Sequence, residues 1–140
     1  MDFILFLCKK MANVSAVIKK EPYKTEIVSG QKKLIANEPV SNGGAGLGFS
    51  PGELLAASLA ACTSITLRMY ADKKEWPLDR VEVDVEFERD EEKNTSTIIR
   101  KIHLLGNLDA EKKERLMAIA DKCPMHKTLS NQISITTLAI

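Results

Sequence analysis

The chain has 140 residues, 44% of them hydrophobic, and a formal net charge of +1. This length and composition fit one globular domain, and the balanced charge argues against nucleic acid or an anionic membrane as a partner. Three cysteines, far apart in the sequence, exclude a disulfide scaffold of the secreted type, so we expect a cytoplasmic protein.

The N-terminal segment MDFILFLCKKMANVS does not fit a targeting signal. It has no basic leader before its short apolar run and no small-residue cleavage site after it. Met11, followed by small and polar residues, would make a natural start. We therefore expect residues 1–12 to be a disordered leader or a misassigned start, and residues 13–140 to form a single domain without a membrane span.

Three short segments near the N-terminus have strand character. They are VSAVIKK, YKTEIVS and KKLIAN, with the pair Ser29 and Gly30 as a turn between the last two. This pattern predicts three antiparallel strands. The glycine-rich stretch EPVSNGGAGLGFSP follows and predicts a flexible loop or a close backbone approach, because it lacks the spacing of a dinucleotide or phosphate loop.

The segment SPGELLAASLAACTSITLRMYADKKEW is the strongest helix signal in the chain. Ser50 fits the N-cap, Pro51 the first helical position and Glu53 the third, which completes a capping box. A helix from Pro51 to about Lys74 is apolar on nearly every face and would be as long as a small domain is wide. We therefore predict a homodimer in which two such helices bury each other. One apolar stripe contains Leu55, Leu59, Cys62, Ile65, Thr66 and Met69.

The C-terminal half alternates between strand and helix patterns. The segment RVEVDVEFERD predicts a strand with one solvent-exposed face. The segment TIIRKIHLL predicts its hairpin partner, with Arg100 and Lys101 facing the glutamates of the first strand. Asp109 caps a second helix, and QISITTLAI predicts a last strand. The order β-β-β-α-β-β-α-β predicts an α+β fold with mainly antiparallel sheets. The apolar side of the second helix contains Leu116, Ile119, Ala120 and Cys123.

Cys62 and Cys123 are the candidate reactive residues. Pro124 breaks the second helix and starts a short new one, so Cys123 takes an N-cap position, where a helix dipole lowers a thiol pKa. Three interpretations stay open: both cysteines fill space in a core, they bind zinc together with His126, or they form a redox pair. His126 could hydrogen-bond a thiolate at Cys123 or satisfy backbone groups.

The segments SPGELLAASLAACTSITLRMYADKKEWPL and CPMHKTL, in this order and with a hairpin between them, resemble the OsmC/Ohr family of cysteine-dependent hydroperoxide reductases. The resemblance extends from about Asn13 to Ile140. It implies an intertwined homodimer with two long central helices, a peroxidatic Cys62 and a resolving Cys123. It also implies organic hydroperoxides, or hydrogen peroxide, as substrates and a thiol or a lipoylated protein as reductant, with no metal, flavin or haem.

The chain departs from the family pattern at the group that activates the first cysteine. The hydroperoxide reductases supply an arginine from the N-terminal strands, held by a glutamate ten residues before the cysteine. Here no arginine precedes Arg68, and Glu53 lies nine residues before Cys62, where capping also accounts for it. The sequence thus predicts a thiol peroxidase with Cys62, Cys123, Glu53 and His126 as site residues. The alternatives are an OsmC-fold ligand-binding or redox-sensing protein and, more weakly, metal-assisted hydrolysis. The nearest substitutes for the arginine are Lys19, Lys20 and Lys24, which lack its planar fork.

Overall fold

The computed structural model describes residues 11–140, so most of the predicted leader over residues 1–12 lies outside the described residues. The predicted α+β class is confirmed, with a three-stranded sheet, a two-stranded sheet, three α-helices and a short 3-10 helix (Val40–Asn42) in the described part of the chain. The elements in chain order are β1 (Ser15–Ile18), β2 (Thr25–Ser29), β3 (Lys32–Ala36), α1 (Pro51–Lys73), β4 (Leu78–Asp90), β5 (Thr95–Gly106), α2 (Ala110–Ala120) and α3 (Pro124–Leu129).

One compact unit contains the described residues up to Ala57 together with Phe87–Ile98. Its sheet has the order β1-β2-β3 and is antiparallel throughout, as the sequence predicts. In the glycine-rich loop, a side chain at Gly44 or Gly48 would collide with a backbone carbonyl, of Glu38 and Ile35 respectively. The predicted close backbone approach is therefore present at these two glycines.

The other unit contains Ser58–Glu86 and Ile99–Ile140. The Asp109 side chain accepts a hydrogen bond from the Lys112 amide and caps α2, as the sequence predicts. The predicted apolar side of α2, which ends in Cys123, is buried. The hydrophobic core of this unit contains Leu67, Tyr70, Ala71, Leu78, Leu104, Leu108, Leu116, Ile119 and Ala120.

Helix α1 begins and ends close to the predicted residues. The Ser50 hydroxyl accepts a hydrogen bond from the Glu53 amide at 3.2 Å, which is one half of the predicted capping box. The predicted apolar stripe is buried only in part, because Ile65 and Met69 are 48% and 38% exposed. By length and composition α1 could also cross a membrane, a test that the core helix of a soluble protein passes as well. The buried positions are Leu59, Thr63, Thr66, Leu67, Tyr70 and Ala71.

The prediction of a final strand in QISITTLAI is wrong for the single chain. Residues 131–140 have no regular secondary structure and are exposed, with Ile135 at 85% and Leu138 at 81%. A strand requires a neighbouring strand edge for its backbone hydrogen bonds, and this segment pairs with none of the strands described. The alternating apolar pattern alone does not supply such an edge.

The predicted charge pairing across the β4–β5 hairpin is confirmed for Lys101 and wrong for Arg100. The ammonium group of Lys101 lies 2.7 Å from the Glu86 carboxylate, as predicted. Arg100 does not face the glutamates, and its side chain is only 11% exposed. Successive strand residues point to opposite faces of a sheet, so Arg100 and Lys101 cannot share a set of partners.

Candidate functional site

The two candidate cysteines come together in the unit that contains α2. Cys62 lies in the middle of α1 and is half-buried, whereas Cys123 precedes α3 and is fully buried. Both are free thiols, and they are close enough for the Cys123 thiol to raise the pKa of Cys62. The structure thus brings together two residues that are sixty-one positions apart in the sequence.

The break between α2 and α3 positions Cys123. Helix α2 ends at Ala120, whose carbonyl accepts a hydrogen bond from the Cys123 amide at 3.2 Å. Cys123 is the N-cap residue of α3, with non-helical backbone angles, and Pro124 occupies the first helical position. This arrangement confirms the predicted helix break. Its cause is local, because proline cannot donate the amide hydrogen bond that would continue α2.

The environment of Cys62 favours the neutral thiol. Burial, followed by interaction with the Cys123 thiol, raises the pKa of Cys62 to about 11. The Met125 amide and the Thr66 hydroxyl act in the opposite direction, and both are uncharged. A thiol with a raised pKa stays protonated at pH 7. The single chain therefore holds the two thiols together without activating Cys62.

Thr66 is a site residue that the sequence analysis treated as packing. It lies one helical turn after Cys62, is fully buried, and its hydroxyl has no hydrogen-bond partner within residues 11–140. By contrast, the Thr63 hydroxyl donates to the Leu59 carbonyl at 2.7 Å, as helical threonines commonly do. The i, i+4 spacing from Cys62 was the sequence signal for Thr66.

Arg100 is the second residue that sequence reasoning missed here. Its guanidinium donates hydrogen bonds to the Thr63 hydroxyl at 3.1 Å and to the Ala120 carbonyl at 3.2 Å. It also forms a salt bridge with Asp121 at 2.8 Å. A strand residue thereby connects α1 to the end of α2. No local signal distinguishes an inward-facing arginine from an outward-facing one on a half-buried strand.

His126 lies in the first turn of α3, beside the break that carries Cys123. Its side chain is 37% exposed, and its Nδ1 atom lies 3.8 Å from the Asp121 carboxylate. The His126 carbonyl accepts hydrogen bonds from the amide and the hydroxyl of Ser130. A role for this histidine at Cys123 therefore stays a prediction.

Glu53 lies on the same helix as Cys62 but far along it. Nine residues of α-helix correspond to a rise of about 14 Å and a rotation of about half a turn, so the two side chains point to opposite sides of α1. Glu53 is exposed, and its amide contributes to the helix cap. Its catalytic role is an untested prediction, and the capping role is the one with an observed contact.

The described residues contain no group of three histidine, cysteine, aspartate or glutamate side chains placed to hold a metal ion. Cys62, Cys123 and His126 were the candidate ligands in the sequence. The two thiols are near enough to interact, because Cys123 raises the pKa of Cys62, and two neighbouring thiols are the groups that oxidise to a disulfide.

Comparisons with known proteins identify the fold. A solved organic hydroperoxide resistance protein, OsmC from Legionella pneumophila, is 26% identical, with a TM-score of 0.66 over 86% of this chain and 90% of that chain. The organic hydroperoxide resistance protein OhrB of Bacillus subtilis is also 26% identical, with a TM-score of 0.60 over 85% of this chain and 90% of that chain.

An OsmC-like protein from Mycoplasma pneumoniae is 23% identical, with a TM-score of 0.70 over 87% of this chain and 89% of that chain. No curated protein sequence matches significantly. The profile of the family described as OsmC-like protein matches residues 43–138, which is more than half of the chain and contains both cysteine segments. The chain therefore belongs to the OsmC-like family, as those two segments predict.

Proposed function

We propose that this protein is a thiol-dependent peroxidase that reduces organic hydroperoxides or hydrogen peroxide. The observation that carries the proposal is that two free thiols, Cys62 and Cys123, are near enough to interact in a member of the OsmC-like family. The organic hydroperoxide resistance proteins among the solved relatives support it. Cys62 is the peroxidatic residue and Cys123 the resolving residue.

The reaction balances with an external dithiol or two thiols as reductant. The Cys62 thiolate attacks one oxygen of the peroxide bond, which breaks, and the other oxygen leaves as an alkoxide that takes up a proton to form the alcohol. The Cys123 thiol then attacks the Cys62 sulfenic acid, so that a disulfide forms and water leaves. A small-molecule thiol or a lipoylated protein reduces this disulfide and restores both thiols.

In this mechanism the Thr66 hydroxyl and the Met125 amide donate hydrogen bonds to the Cys62 sulfur once it is ionised. Both contacts lower the pKa of Cys62. They stabilise the thiolate before attack and the sulfenate after it, because a hydrogen bond to a charged acceptor is stronger than one to a neutral acceptor. The buried, unpaired state of Thr66 is explained by this role, since its acceptor is the ionised sulfur.

These two donors do not offset the pKa of about 11, so Cys62 also requires a cation. We assign this task to the dimer. In the dimer, a lysine from the N-terminal segment of one chain lies against the long helix of the other chain and supplies the cation. The dimer assembles in the cytoplasm. Glu53 serves chiefly as a capping residue, and His126 accepts or donates a proton near Cys123. The candidate lysines are Lys19, Lys20 and Lys24.

A second candidate function is redox sensing on the same fold, with little turnover. The raised pKa of Cys62 favours it, because a protonated thiol reacts slowly with peroxide. The two functions differ in rate and in recycling. A sensor forms the disulfide once and stays oxidised, whereas a peroxidase consumes many equivalents of peroxide when a thiol is present.

Trapping of the sulfenic acid tests the proposed function. The Cys123→Ser variant is treated with an organic hydroperoxide in the presence of a dione reagent that captures sulfenic acids. We expect one adduct per chain, on Cys62, and none in the Cys62→Ser variant. Absence of any adduct at millimolar hydroperoxide would exclude the peroxidase.

A further inference from the structure

Arg100 has contacts that its position in a hairpin strand does not require. Only 11% of its side-chain surface is exposed. Its guanidinium contacts three acceptors on two segments: the Thr63 hydroxyl in α1 at 3.1 Å, and the Ala120 carbonyl and Asp121 carboxylate at the end of α2, at 3.2 and 2.8 Å. A buried guanidinium with three partners has a fixed geometry, because its donors form a rigid planar fork.

These acceptors lie beside the two cysteines along the chain. Thr63 directly follows Cys62, while Ala120 and Asp121 precede Cys123 by three and two residues. The Ala120 carbonyl that binds Arg100 also accepts the Cys123 amide hydrogen bond at 3.2 Å. The arginine therefore connects the helix that carries one thiol to the break that carries the other.

We propose that Arg100 is a positioning residue that fixes the separation of Cys62 and Cys123 and thereby favours their disulfide. The proposal deepens the proposed function and rests on it only for the biological use of the disulfide. A disulfide forms without strain only when the two Cα atoms lie within about 7 Å. Holding both backbones raises the effective concentration of one thiol at the other, as other oriented pairs do.

Arg100 acts through geometry and not by activating Cys62. The groups that lower the Cys62 pKa are the Met125 amide and the Thr66 hydroxyl. The arginine charge is paired with Asp121 and bound to two further acceptors. We therefore expect its loss to change the disulfide equilibrium and the lifetime of the sulfenic acid more than the first attack on peroxide.

The test is the equilibrium between the dithiol and disulfide forms in glutathione redox buffers, which needs no peroxide. We expect Arg100→Gln to lower the equilibrium constant for the disulfide at least tenfold, or about 30 mV in potential. Arg100→Lys keeps the charge but lacks the planar fork, so its equilibrium constant should lie between those of Arg100→Gln and the unmodified protein. The matched control is Lys101→Gln, at the exposed neighbouring position, which should leave the constant unchanged.

Two further variants keep the proposal testable if Arg100→Gln does not fold. Asp121→Ala and Thr63→Val each remove one contact of the arginine, and Asp121 is 68% exposed, so its replacement does not disturb a core. We expect each to lower the constant by a smaller factor. Unchanged constants in the folded variants would overturn the proposal. A lowered constant in a protein that does not react with peroxide would retain the positioning role and overturn the peroxidase alone.

Discussion

At the scale of single residues, the site contains two neighbouring thiols, and no charged partner activates Cys62 among the described residues of the single chain. Burial and the neighbouring Cys123 raise the pKa of Cys62, while two uncharged donors oppose the shift. The capping position of Cys123 follows from Pro124, which is a local signal, whereas its pairing with Cys62 was implied by the family resemblance. It did not predict Thr66 and Arg100 as site residues, because their roles depend on which way a side chain points in the folded chain.

Thr66 provides the first residue-scale prediction. Thr66→Val removes the hydroxyl without changing the side-chain volume much, so stability should not fall, since the hydroxyl is buried without a partner in residues 11–140. A hydrogen bond to a charged group contributes about 1.5–3 kcal/mol, so sulfenic-acid formation should slow about 10- to 100-fold. Stopped-flow kinetics with an organic hydroperoxide measure this rate. Thr66→Ser keeps the hydroxyl and should react at nearly the normal rate; equal rates for Thr66→Val and the unmodified protein would contradict the role.

The raised pKa of Cys62 predicts a pH dependence of stability. The folded chain holds the thiol proton more tightly than the unfolded chain, so this stabilisation is complete below the unfolded pKa near 9 and is lost as pH rises toward about 11. In the monomeric Ile65→Asp variant, where no partner cation is present, urea unfolding at pH 8, 9 and 10 should show a steeper loss of the free energy of unfolding than in the Ile65→Asp, Cys62→Ala double variant. Parallel curves for these two variants would contradict the raised pKa of Cys62 in the single chain.

At the scale of elements, helices were more predictable than strands. The bounds of α1, the cap of α2 and the start of α3 follow from residues within a few positions of each helix end. The strand predicted over residues 132–140 required an edge supplied by another part of the structure, which local sequence cannot show. The same limit applies to the partners of Arg100.

The cap of α2 gives an element-scale prediction. The Lys112 amide, followed by the Lys112 charge, lowers the pKa of Asp109 in the folded chain. The carboxylate therefore stabilises the fold above the unfolded pKa of about 3.9, and this contribution is lost as pH falls through the lower folded pKa. Asp109→Ala should lower the thermal midpoint at pH 7, and the difference should narrow below pH 3. Asp109→Asn still caps the helix and should remain near the unmodified midpoint at pH 7; an equal loss in both variants would contradict the cap.

At the scale of the whole molecule, the chain leaves many large apolar side chains exposed. Ile65 and Met69 are exposed on α1, and Ile133, Ile135 and Leu138 are exposed in the C-terminal segment. These surfaces are what the proposed dimer would cover, and a partner would also supply an edge for residues 132–140. The length and the apolar composition of α1 were the sequence signals for this assembly.

Light scattering tests the dimer. We expect the protein to have twice the mass of one chain, and Ile65→Asp to shift it toward the monomer, because a charge would be buried against the partner helix. Met117→Asp is the matched control, since Met117 is exposed to a similar extent, 44%, on a different helix. A monomeric mass for the unmodified protein at micromolar concentration would contradict the assembly and the source of the missing cation.

The most direct test of the central claim is the product of one equivalent of organic hydroperoxide, identified by mass spectrometry of peptides under non-reducing conditions. We predict a single intramolecular disulfide between Cys62 and Cys123, formed with loss of two hydrogen atoms and reversed by a dithiol. Cys123→Ser should stop at the sulfenic acid on Cys62. Oxidation of Cys123 first, or no disulfide between the two residues after full consumption of the hydroperoxide, would contradict the assignment of the pair.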